Sequence, residues 1–498
     1  MSRAYLEKIA KSAVLVFLGT LFGRLFGYLY VALVARLGSV EYGLLSLGFA
    51  IVSFLIALSL FGLEGGIVRF VSFYRGKNDK QRIKGTITSS LKIVFPVSIA
   101  LSLLVFILAN WISVSLFHNP ELAKILRIFS IIIPLMAVRN IFLSTFKAFQ
   151  KSSYDIGLRE FGEKGIRFLL TFVVLFLGFG VIGIAFVWII SVFITALLSF
   201  YLLQKVFPLI KSNIKAISHK KELLSYSLPL LFGGFLSTTL AWADIMLLGF
   251  FKDASTVGVY NVALPTAALI FVAPTAITYL FMPIITELFA KERIDEVKKM
   301  YKRVSKWVFF VNFPIFLLVF LFSKQILRVM FGQEYITAGV ALSILSVGYL
   351  IYSLAYPSTY VIEMAKKTKL ILLSTLFFTL FNVVFNVLLI PRYGILGAGI
   401  ATSVSFVFGF ILRVIFAYRI LRVQPFLLNY LKAIVAGIGA VACVLFIVSY
   451  LRPLSFFFLV ASFVLFLGIY WLLLILIGGL DIEDKSLIRG IILHPFKK

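Results

Sequence analysis

Long apolar stretches alternate with short polar segments along the whole chain. Most of these stretches hold at least about eighteen residues, which is enough to cross a hydrocarbon core of about 30 Å at about 1.5 Å per helical residue. The pattern therefore predicts an all-α membrane protein with about fourteen transmembrane helices. The predicted spans are 12–35, 43–65, 87–109, 123–147, 158–179, 181–203, 223–250, 258–282, 305–323, 336–362, 368–390, 395–417, 430–450 and 455–478.

Lysine and arginine concentrate in alternate loops. Segments 69–84, 205–221 and 291–303 are strongly basic, whereas loops of the opposite side, such as 110–122, carry almost no lysine or arginine. Basic loops stay on the cytoplasmic side of a membrane. All the basic segments lie on that side only if both ends of the chain do as well. We therefore expect a multi-pass protein of the cell membrane with cytoplasmic N- and C-termini.

Composition narrows the class of protein further. Of 498 residues, 61% are hydrophobic and 14% are charged, and the formal net charge is +28. In a soluble protein this charge would favour nucleic acid, but here it follows the membrane topology, so we expect a lipid bilayer and no nucleic acid as partner. Cysteine and histidine form no metal-binding pattern, and no nucleotide-binding or hydrolase motif is present. We expect no cofactor, no metal and no enzymatic activity.

The sequence also contains a weak internal repeat. Segment 35–51 resembles 249–265, and 177–191 resembles 391–405 at the same offset. Six helices duplicated in one orientation form two bundles around a central cavity. The expected division is an N-terminal six-helix lobe at 1–208, a cytoplasmic linker at 209–222, a C-terminal six-helix lobe at 223–425, two additional helices at 426–480 and a cytoplasmic tail at 481–498.

Three segments carry a resemblance to a known family. They read LFGRLFGYLYVALVARLGSVEYGLLSL, WADIMLLGFFKDASTVGVYNVA and RYGILGAGIATSVS. Spans one to twelve resemble the polysaccharide-repeat-unit flippases of the multidrug/oligosaccharidyl-lipid/polysaccharide exporter superfamily. The resemblance implies a transporter that carries a polyprenyl-(pyro)phosphate-linked oligosaccharide from the cytoplasmic to the outer leaflet by alternating access of two lobes. It also implies a role in surface polysaccharide or glycoprotein assembly, with a downstream polymerase or oligosaccharyltransferase as partner.

Three alternatives stay open at this point. A lipid II flippase shares the cationic cavity and the helix count, so the sequence separates it poorly from the first reading. A multidrug exporter of the same superfamily would need a more acidic cavity for cationic drugs. A membrane glycosyltransferase or polymerase would need acidic residues in a sizeable outer loop, and the outer loops here are short and poor in them.

Cationic side chains inside the predicted spans are the first candidates for the site. A charge at membrane depth costs about 2.5–3.5 kcal/mol on insertion scales, so such a residue is a functional hypothesis. Arginine binds phosphate oxygens in a bidentate fork. We expect Arg24, Arg139 and Arg167, with Lys164, to bind the pyrophosphate. The alternatives are pairing with acidic neighbours and, for Arg139, reaching out to the interface.

Polar residues of later spans are candidates for glycan contact. Tyr349, Tyr352 and Tyr356 fall on one helical face and could stack on sugar rings, although such a stripe is also typical of helix packing. Asn382 and Asn386 lie one turn apart and need partners, either from another helix or from the glycan.

Intramembrane carboxylates are candidates for ion coupling. Asp244 matches a position where the flippase family often has aspartate, and Glu64 and Glu163 are further candidates for coupling to protons or sodium. Asp244 lies close to the predicted outer interface, so capping or pairing there is the alternative reading.

Overall fold

The computed structural model describes residues 3–210, 214–426, 428–451, 456–481 and 484. Every regular element within these residues is helical. The α-helices are α1 (Arg3–Ala35), α2 (Ser39–Ser59), α3 (Leu63–Gly76), α4 (Lys80–Trp111), α5 (Leu122–Ser130), α6 (Ile132–Ala148), α7 (Ser152–Ile156), α8 (Lys164–Phe176), α9 (Gly180–Val206), α10 (Lys220–Phe251), α11 (Ala254–Asn261), α12 (Ala263–Ala267), α13 (Val272–Ala290), α14 (Ile294–Leu321), α15 (Ser323–Met330), α16 (Gly339–Ser353), α17 (Ala355–Met364), α18 (Thr368–Tyr393), α19 (Ile395–Leu421), α20 (Asn429–Leu451) and α21 (Phe456–Leu476). The remaining helical segments are two π-helical ones, at Ile112–Leu116 and Gly157–Glu163, and two 3₁₀-helical ones, at Ala268–Phe271 and Gln333–Ala338.

The apolar helices confirm the predicted class of all-α membrane protein. Within the described ranges, ten helical segments are long and apolar enough to cross a membrane, and four shorter apolar helices accompany them. Helices satisfy their own backbone hydrogen bonds, which is what hydrocarbon requires. The count of fourteen transmembrane helices stays a prediction.

Several predicted spans are not continuous α-helices: 43–65, 123–147 and 336–362 are each divided between two α-helices, and 258–282 is divided further. The structure divides this region into α11, α12, the 3₁₀ helix Ala268–Phe271 and the first part of α13. Pro265 and Pro274 lack the amide hydrogen that an α-helix needs, so both weaken its continuation here.

The chain divides into two compact units. The first unit comprises Met1–Pro265 and Thr375–Thr402, and the second comprises Thr266–Ser374 and Ser403–Lys498. The boundaries pass through α12, α18 and α19, so these helices contribute residues to both units. The division into lobes, linker and tail expected from the sequence stays a prediction.

Helices α2 and α11 approach each other reciprocally in the first unit. A Cβ on Gly43 would lie 1.7 Å from the Ala254 carbonyl oxygen, and a Cβ on Gly258 would lie 1.9 Å from the Ser39 carbonyl oxygen, so only glycine fits at either position. Gly43 of α2 therefore contacts Ala254, the first residue of α11, and Gly258 of α11 contacts Ser39, the first residue of α2. This reciprocity is what the internal repeat predicts.

Hydrogen bonds join the same two helices. Asn261 Nδ2 donates to Ser46 Oγ at 2.7 Å, across a separation of 215 residues. That separation also relates Gly43 to Gly258, and it is one residue more than the alignment of the repeat segments gives. The hydroxyls of Ser39 and Ser255 lie 2.8 Å apart at the beginning of the crossing.

The two helices that follow the repeat pack within the second unit. Small residues of α20, Ala433, Ala436 and Ala440, lie in one buried cluster with Phe310 of α14 and Tyr470 of α21. The Tyr470 hydroxyl donates to the Phe310 carbonyl oxygen at 2.9 Å. These contacts attach both helices to α14.

A buried ion pair lies beyond the end of α21. Lys306 of α14 donates to Asp481 at 2.7 Å and to Asp484 at 2.5 Å. Lys306 is 2% exposed and Asp484 is fully buried. Both carboxylates therefore hold the segment after α21 against α14.

Candidate functional site

Two arginines from different helices of the first unit converge on one buried glutamate. Arg139 lies in α6, Arg167 lies in α8, and Glu163 ends the π-helical segment between α7 and α8. Both guanidinium groups form ion pairs with the Glu163 carboxylate. Arg139 is 2% exposed, Glu163 is 7% exposed and Arg167 is 9% exposed. We name these three residues the arginine cluster.

The arginine cluster carries one more positive charge than negative. The Nε–H groups of Arg139 and Arg167 are buried and have no hydrogen-bond acceptor among the described residues. Buried donors nearly always have an acceptor, so these two are exceptions to a general rule. Trp188 covers the Arg167 guanidinium at 3.6 Å from the ring centroid, and the indole N–H donates to the Tyr30 hydroxyl at 2.5 Å. The aromatic contact orients Arg167 without using its N–H donors.

Arg159 does not join this cluster, although α-helical spacing predicts it on the same face as Glu163. The segment Gly157–Glu163, which holds both residues, is π-helical, with hydrogen bonds from residue i to residue i+5. Arg159 pairs with Asp155 at 3.5 Å. Arg139, from another helix, pairs with Glu163 instead.

Further ion pairs adjoin the cluster along the same stretch of chain. Lys164 pairs with Glu160 at 2.5 Å, and Lys147 shares Asp155 with Arg159 at 3.5 Å. The cluster and these pairs together contain five cations and three carboxylates. They are Arg139, Lys147, Arg159, Lys164 and Arg167 against Asp155, Glu160 and Glu163.

Arg24 lies half-buried on α1, which packs against the π-helical segment and α8. A Cβ on the preceding residue, Gly23, would lie 1.8 Å from a carboxylate oxygen of Glu160. The turn of α1 that carries Arg24 therefore passes next to the Glu160–Lys164 pair. All four residues predicted to bind the pyrophosphate lie on helices that pack together in the first unit.

A cavity of about 270 Å³ lies in the same unit. Glu64 and Asn140 line it, together with bare backbone at Gly65 and Gly234. The Asn140 side-chain oxygen accepts a hydrogen bond from Arg139 at 3.1 Å, so one wall of the cavity is bonded to the arginine cluster. The role of Glu64 in ion coupling stays a prediction.

A second polar cluster of the first unit surrounds Asp244, which is 5% exposed. Its Oδ2 accepts hydrogen bonds from Tyr260 and Thr402, both at 2.6 Å. Its Oδ1 accepts from Asn386 at 2.7 Å and from Asn382 at 3.3 Å. Asp244 therefore lies inside the protein and does not cap a helix, and we name these five residues the Asp244 cluster.

Two side-chain oxygens of the Asp244 cluster accept no hydrogen bond from the described residues. The side-chain oxygens of Asn382 and Asn386 are buried and have no donor within the described part of the chain. The sequence predicted these two amides as glycan contacts, and that role stays a prediction. What the structure adds is their direct bond to a buried carboxylate.

The predicted aromatic stripe lies in the second unit. Tyr349, Tyr352 and Tyr356 pack around Phe271, with ring centroids 4.7, 5.9 and 5.6 Å away. Tyr352 also stacks on Phe406 at 4.7 Å. Tyr349 and Tyr352 are each 9% exposed, so protein covers most of their ring surface. Their contact with a glycan stays a prediction.

Two buried cations, Lys306 and Arg413, were not predicted from the sequence. Arg413 is 8% exposed, its Nη1 donates to the Thr359 hydroxyl at 3.0 Å, and its guanidinium carbon lies 5.1 Å from the Tyr352 ring centroid. A signal was present, because Arg413 follows a long apolar run.

Neutral members of the two clusters were missed as well. A single hydroxyl or indole inside an apolar helix gives no signal of its own, since such residues are common in membrane helices. These residues are Tyr30, Trp188, Tyr260 and Thr402.

Comparison with known proteins gives two family-model matches. The model described as "Polysaccharide biosynthesis protein" matches residues 9–289, more than half of the chain. A second model, MatE, matches residues 229–388.

Two relatives show the extent of sequence similarity. An uncharacterized membrane protein of Methanocaldococcus jannaschii is 23% identical over 460 residues, which cover 90% of each chain. The probable flippase AglR of Haloferax volcanii is 30% identical over 221 residues, which cover 43% of this chain and 45% of that protein.

The fold is similar to solved transporter structures. The lipid II flippase MurJ in an inward closed conformation aligns with a TM-score of 0.74 at 16% identity, covering 96% of this chain and 100% of that one. At this identity the likeness concerns the fold alone, and it agrees with the helical bundle described above.

Proposed function

Since the chain belongs to the polysaccharide biosynthesis protein family of the multidrug/oligosaccharidyl-lipid/polysaccharide exporter superfamily, we propose that it is a flippase for a polyprenyl-(pyro)phosphate-linked oligosaccharide. The chain is a multi-pass membrane protein with a transporter fold. The proposed direction is from the cytoplasmic to the outer leaflet, with both termini in the cytoplasm. The product would serve surface polysaccharide or glycoprotein assembly, through a downstream polymerase or oligosaccharyltransferase.

The arginine cluster is the observation that carries this proposal. A single carboxylate cannot neutralise two buried guanidinium groups, and their Nε–H groups lack acceptors within the described residues. A pyrophosphate supplies several charged oxygens and pairs with arginine in a bidentate fork. In the resting protein Glu163 holds Arg139 and Arg167 in place, and the incoming phosphate would compete with Glu163 for their donors.

Release of the arginines from Glu163 gives a physical basis for transport. A substrate drives a conformational change only if it binds the two states differently. A phosphate that displaces Glu163 would leave this carboxylate without its partners, which is costly inside a membrane protein. A conformation of the two lobes in which Glu163 regains a partner would then be favoured. The change to that conformation would carry the head group to the other leaflet. The polyprenyl chain would remain in lipid throughout.

The direct test is leaflet-resolved flipping of a polyprenyl-pyrophosphate oligosaccharide in liposomes. Arg139→Gln and Arg167→Ala each remove one charge-assisted contact, which corresponds to roughly a 10- to 100-fold loss of rate. Arg293→Ala is the matched control, because this arginine pairs with Glu296 at the surface and is about half exposed. Wild-type rates in both cluster variants would overturn the assignment of the site.

The same liposomes separate the alternative substrates. Lipid II flipping at a rate above that of the oligosaccharide would favour a lipid II flippase. Efflux of a cationic drug without flipping would favour a multidrug exporter, and sugar transfer by the purified protein would favour a glycosyltransferase.

The Asp244 cluster supports a second element of the proposal, which is coupling to a small monovalent cation. Such cations take oxygen ligands. Rotation of both asparagine amides would turn their unpartnered oxygens toward the Asp244 carboxylate and the Thr402 hydroxyl. The cluster would then offer one charge and several oxygens from three helices, α10, α18 and α19.

This coupling is tested separately from flipping. Thermal unfolding of the purified protein would be compared in sodium and in choline salts. We expect sodium to raise the melting temperature of the wild type and of Asp253→Asn, a control at the exposed start of α11, but not of Asp244→Asn. Equal sodium responses in Asp244→Asn and wild type would remove the cation site while leaving the flippase proposal intact.

A further inference from the structure

A separate cavity of about 570 Å³ lies in the second unit, where α18 begins and α19 ends. Its lining combines basic side chains with apolar ones. The residues that matter here are Lys366, Lys367, Lys369 and Arg419, together with Phe416 and Ile420. None of them belongs to the arginine cluster or to the Asp244 cluster.

None of the four cations is neutralised by a carboxylate of the described residues. All four are exposed, and no carboxylate within the described ranges lies at ion-pair distance from any of them. No acidic residue lines the cavity. Four like charges around one cavity repel each other, so the arrangement is stabilised when an anion enters.

The backbone holds the lysines in position. The amide of Lys366 donates to the Glu363 carbonyl oxygen at 2.8 Å, and the amide of Lys367 donates to the Ile362 carbonyl oxygen at 3.1 Å. Lys366 has a φ of +59°, which ends α17 and turns the chain into α18. The lysines therefore stand on a fixed turn rather than on a long loop.

The apolar part of the lining decides between kinds of anion. Phe416 is 9% exposed and, with Ile420, lies one turn or less from Arg419 on α19. A soluble anion gains nothing from such a wall, whereas a lipid places its phosphate at the charges and its acyl chain against the apolar residues. The tendency of basic loops to stay cytoplasmic explains lysines at this end of α18, but it does not require a cavity with an apolar wall.

We propose that this cavity binds the phosphate of an anionic phospholipid of the surrounding bilayer. The lipid head group would lie among Lys366, Lys367, Lys369 and Arg419, and an acyl chain would follow Phe416 and Ile420. The site is independent of the transported substrate, and it would tie the α17–α18 turn to α19 through a bound lipid.

The test is lipid retention by the intact purified protein, measured by native mass spectrometry from vesicles of phosphatidylcholine doped with phosphatidylglycerol. We expect wild type to retain phosphatidylglycerol in preference to phosphatidylcholine. The triple variant Lys367→Gln/Lys369→Gln/Arg419→Gln should retain at least about tenfold less. The matched control is Lys215→Gln/Lys220→Gln/Lys221→Gln, which removes three exposed lysines that line no described cavity. It should retain as much as wild type.

Further arms identify the source of the phosphate. The charge-conserving variant Lys367→Arg/Lys369→Arg/Arg419→Lys should retain the lipid, which separates loss of charge from loss of folding. Equal retention in wild type and the glutamine triple variant would overturn the proposal. So would displacement of the lipid by millimolar inorganic phosphate, which would indicate a soluble-anion site. Preferential displacement by a polyprenyl phosphate would assign the cavity to the carrier lipid instead.

Discussion

The crossing of α2 and α11 makes a quantitative prediction about two glycines. Ordinary van der Waals contact begins near 3.4 Å, whereas a Cβ on Gly43 would lie 1.7 Å from the Ala254 carbonyl oxygen. Gly43→Ala must therefore separate the helices by about 1.7 Å, since the obstacle is backbone and cannot rotate away. Gly258→Ala must separate them by about 1.5 Å from the opposite side of the same crossing.

The cost of each substitution has two unfavourable parts. Overpacking costs about 1–3 kcal/mol, and a separation of this size breaks the 2.7 Å hydrogen bond between Asn261 and Ser46, for about 1 kcal/mol more. The better helix propensity of alanine returns about 1 kcal/mol. We expect a net loss of about 2 kcal/mol, or roughly a 2 °C fall in melting temperature for a chain of this length.

Thermal unfolding in detergent, followed by tryptophan fluorescence, measures this loss. Trp188 and Trp242 both contact Phe49 of α2, with ring centroids 4.0 and 5.4 Å away, so the signal reports on the crossing. Gly468→Ala is the control, because a Cβ there meets nothing within 4 Å. The Gly43→Ala/Gly258→Ala double variant should lose less than the sum, since one separation accommodates both methyl groups. Melting temperatures equal to that of Gly468→Ala would refute the reasoning.

Three further predictions concern other contacts. Lys306→Met leaves Asp484 buried without its cation and should destabilise the protein by about 3–5 kcal/mol in thermal unfolding, whereas Lys306→Met combined with Asp484→Asn should recover most of that loss. The hydrogen bond from Lys306 lowers the pKa of the Asp481 carboxyl below its ordinary 3.8. The stabilisation that ionised Asp481 provides is therefore present above pH 3.8 and disappears as pH falls through the lowered pKa. A melting-temperature difference between wild type and Asp481→Asn that did not shrink in acid would contradict this. Trp188→Phe removes the 2.5 Å hydrogen bond to Tyr30 and should slow flipping about threefold to tenfold with little change in melting temperature, whereas a matching loss of stability would indicate a structural role only.

The helical fold was predictable because each apolar run fixes one helix by itself. What the runs could not show is where a helix changes its hydrogen-bonding pattern. The break in span 258–282 has a visible cause in two prolines, but the π-helical turn at Gly157–Glu163 has none that spacing reveals.

The candidate site was predictable as a set of residues but not as a set of contacts. Charge inside an apolar run singled out Arg139, Glu163 and Arg167 one by one. The three residues converge only because other helices bring α6 close to α8. No local sequence pattern encodes this packing. For the same reason the sequence left the partners of Asn382 and Asn386 open between another helix and the glycan, and the structure bonds both to a carboxylate more than a hundred residues away.

The reciprocal crossing of α2 and α11 also bears on how the protein arose. Two identical halves that met through this surface would have formed a symmetric homodimer, in which every contact is made twice and a residue on the axis faces its own copy. Positions 46 and 261 are such a pair, and they are now serine and asparagine. Fusion into one chain allows the two sides of an axis to diverge, so that one becomes a donor and the other an acceptor. In the present chain Asn261 donates and Ser46 accepts, a division of roles that two identical residues on an exact two-fold axis could not have.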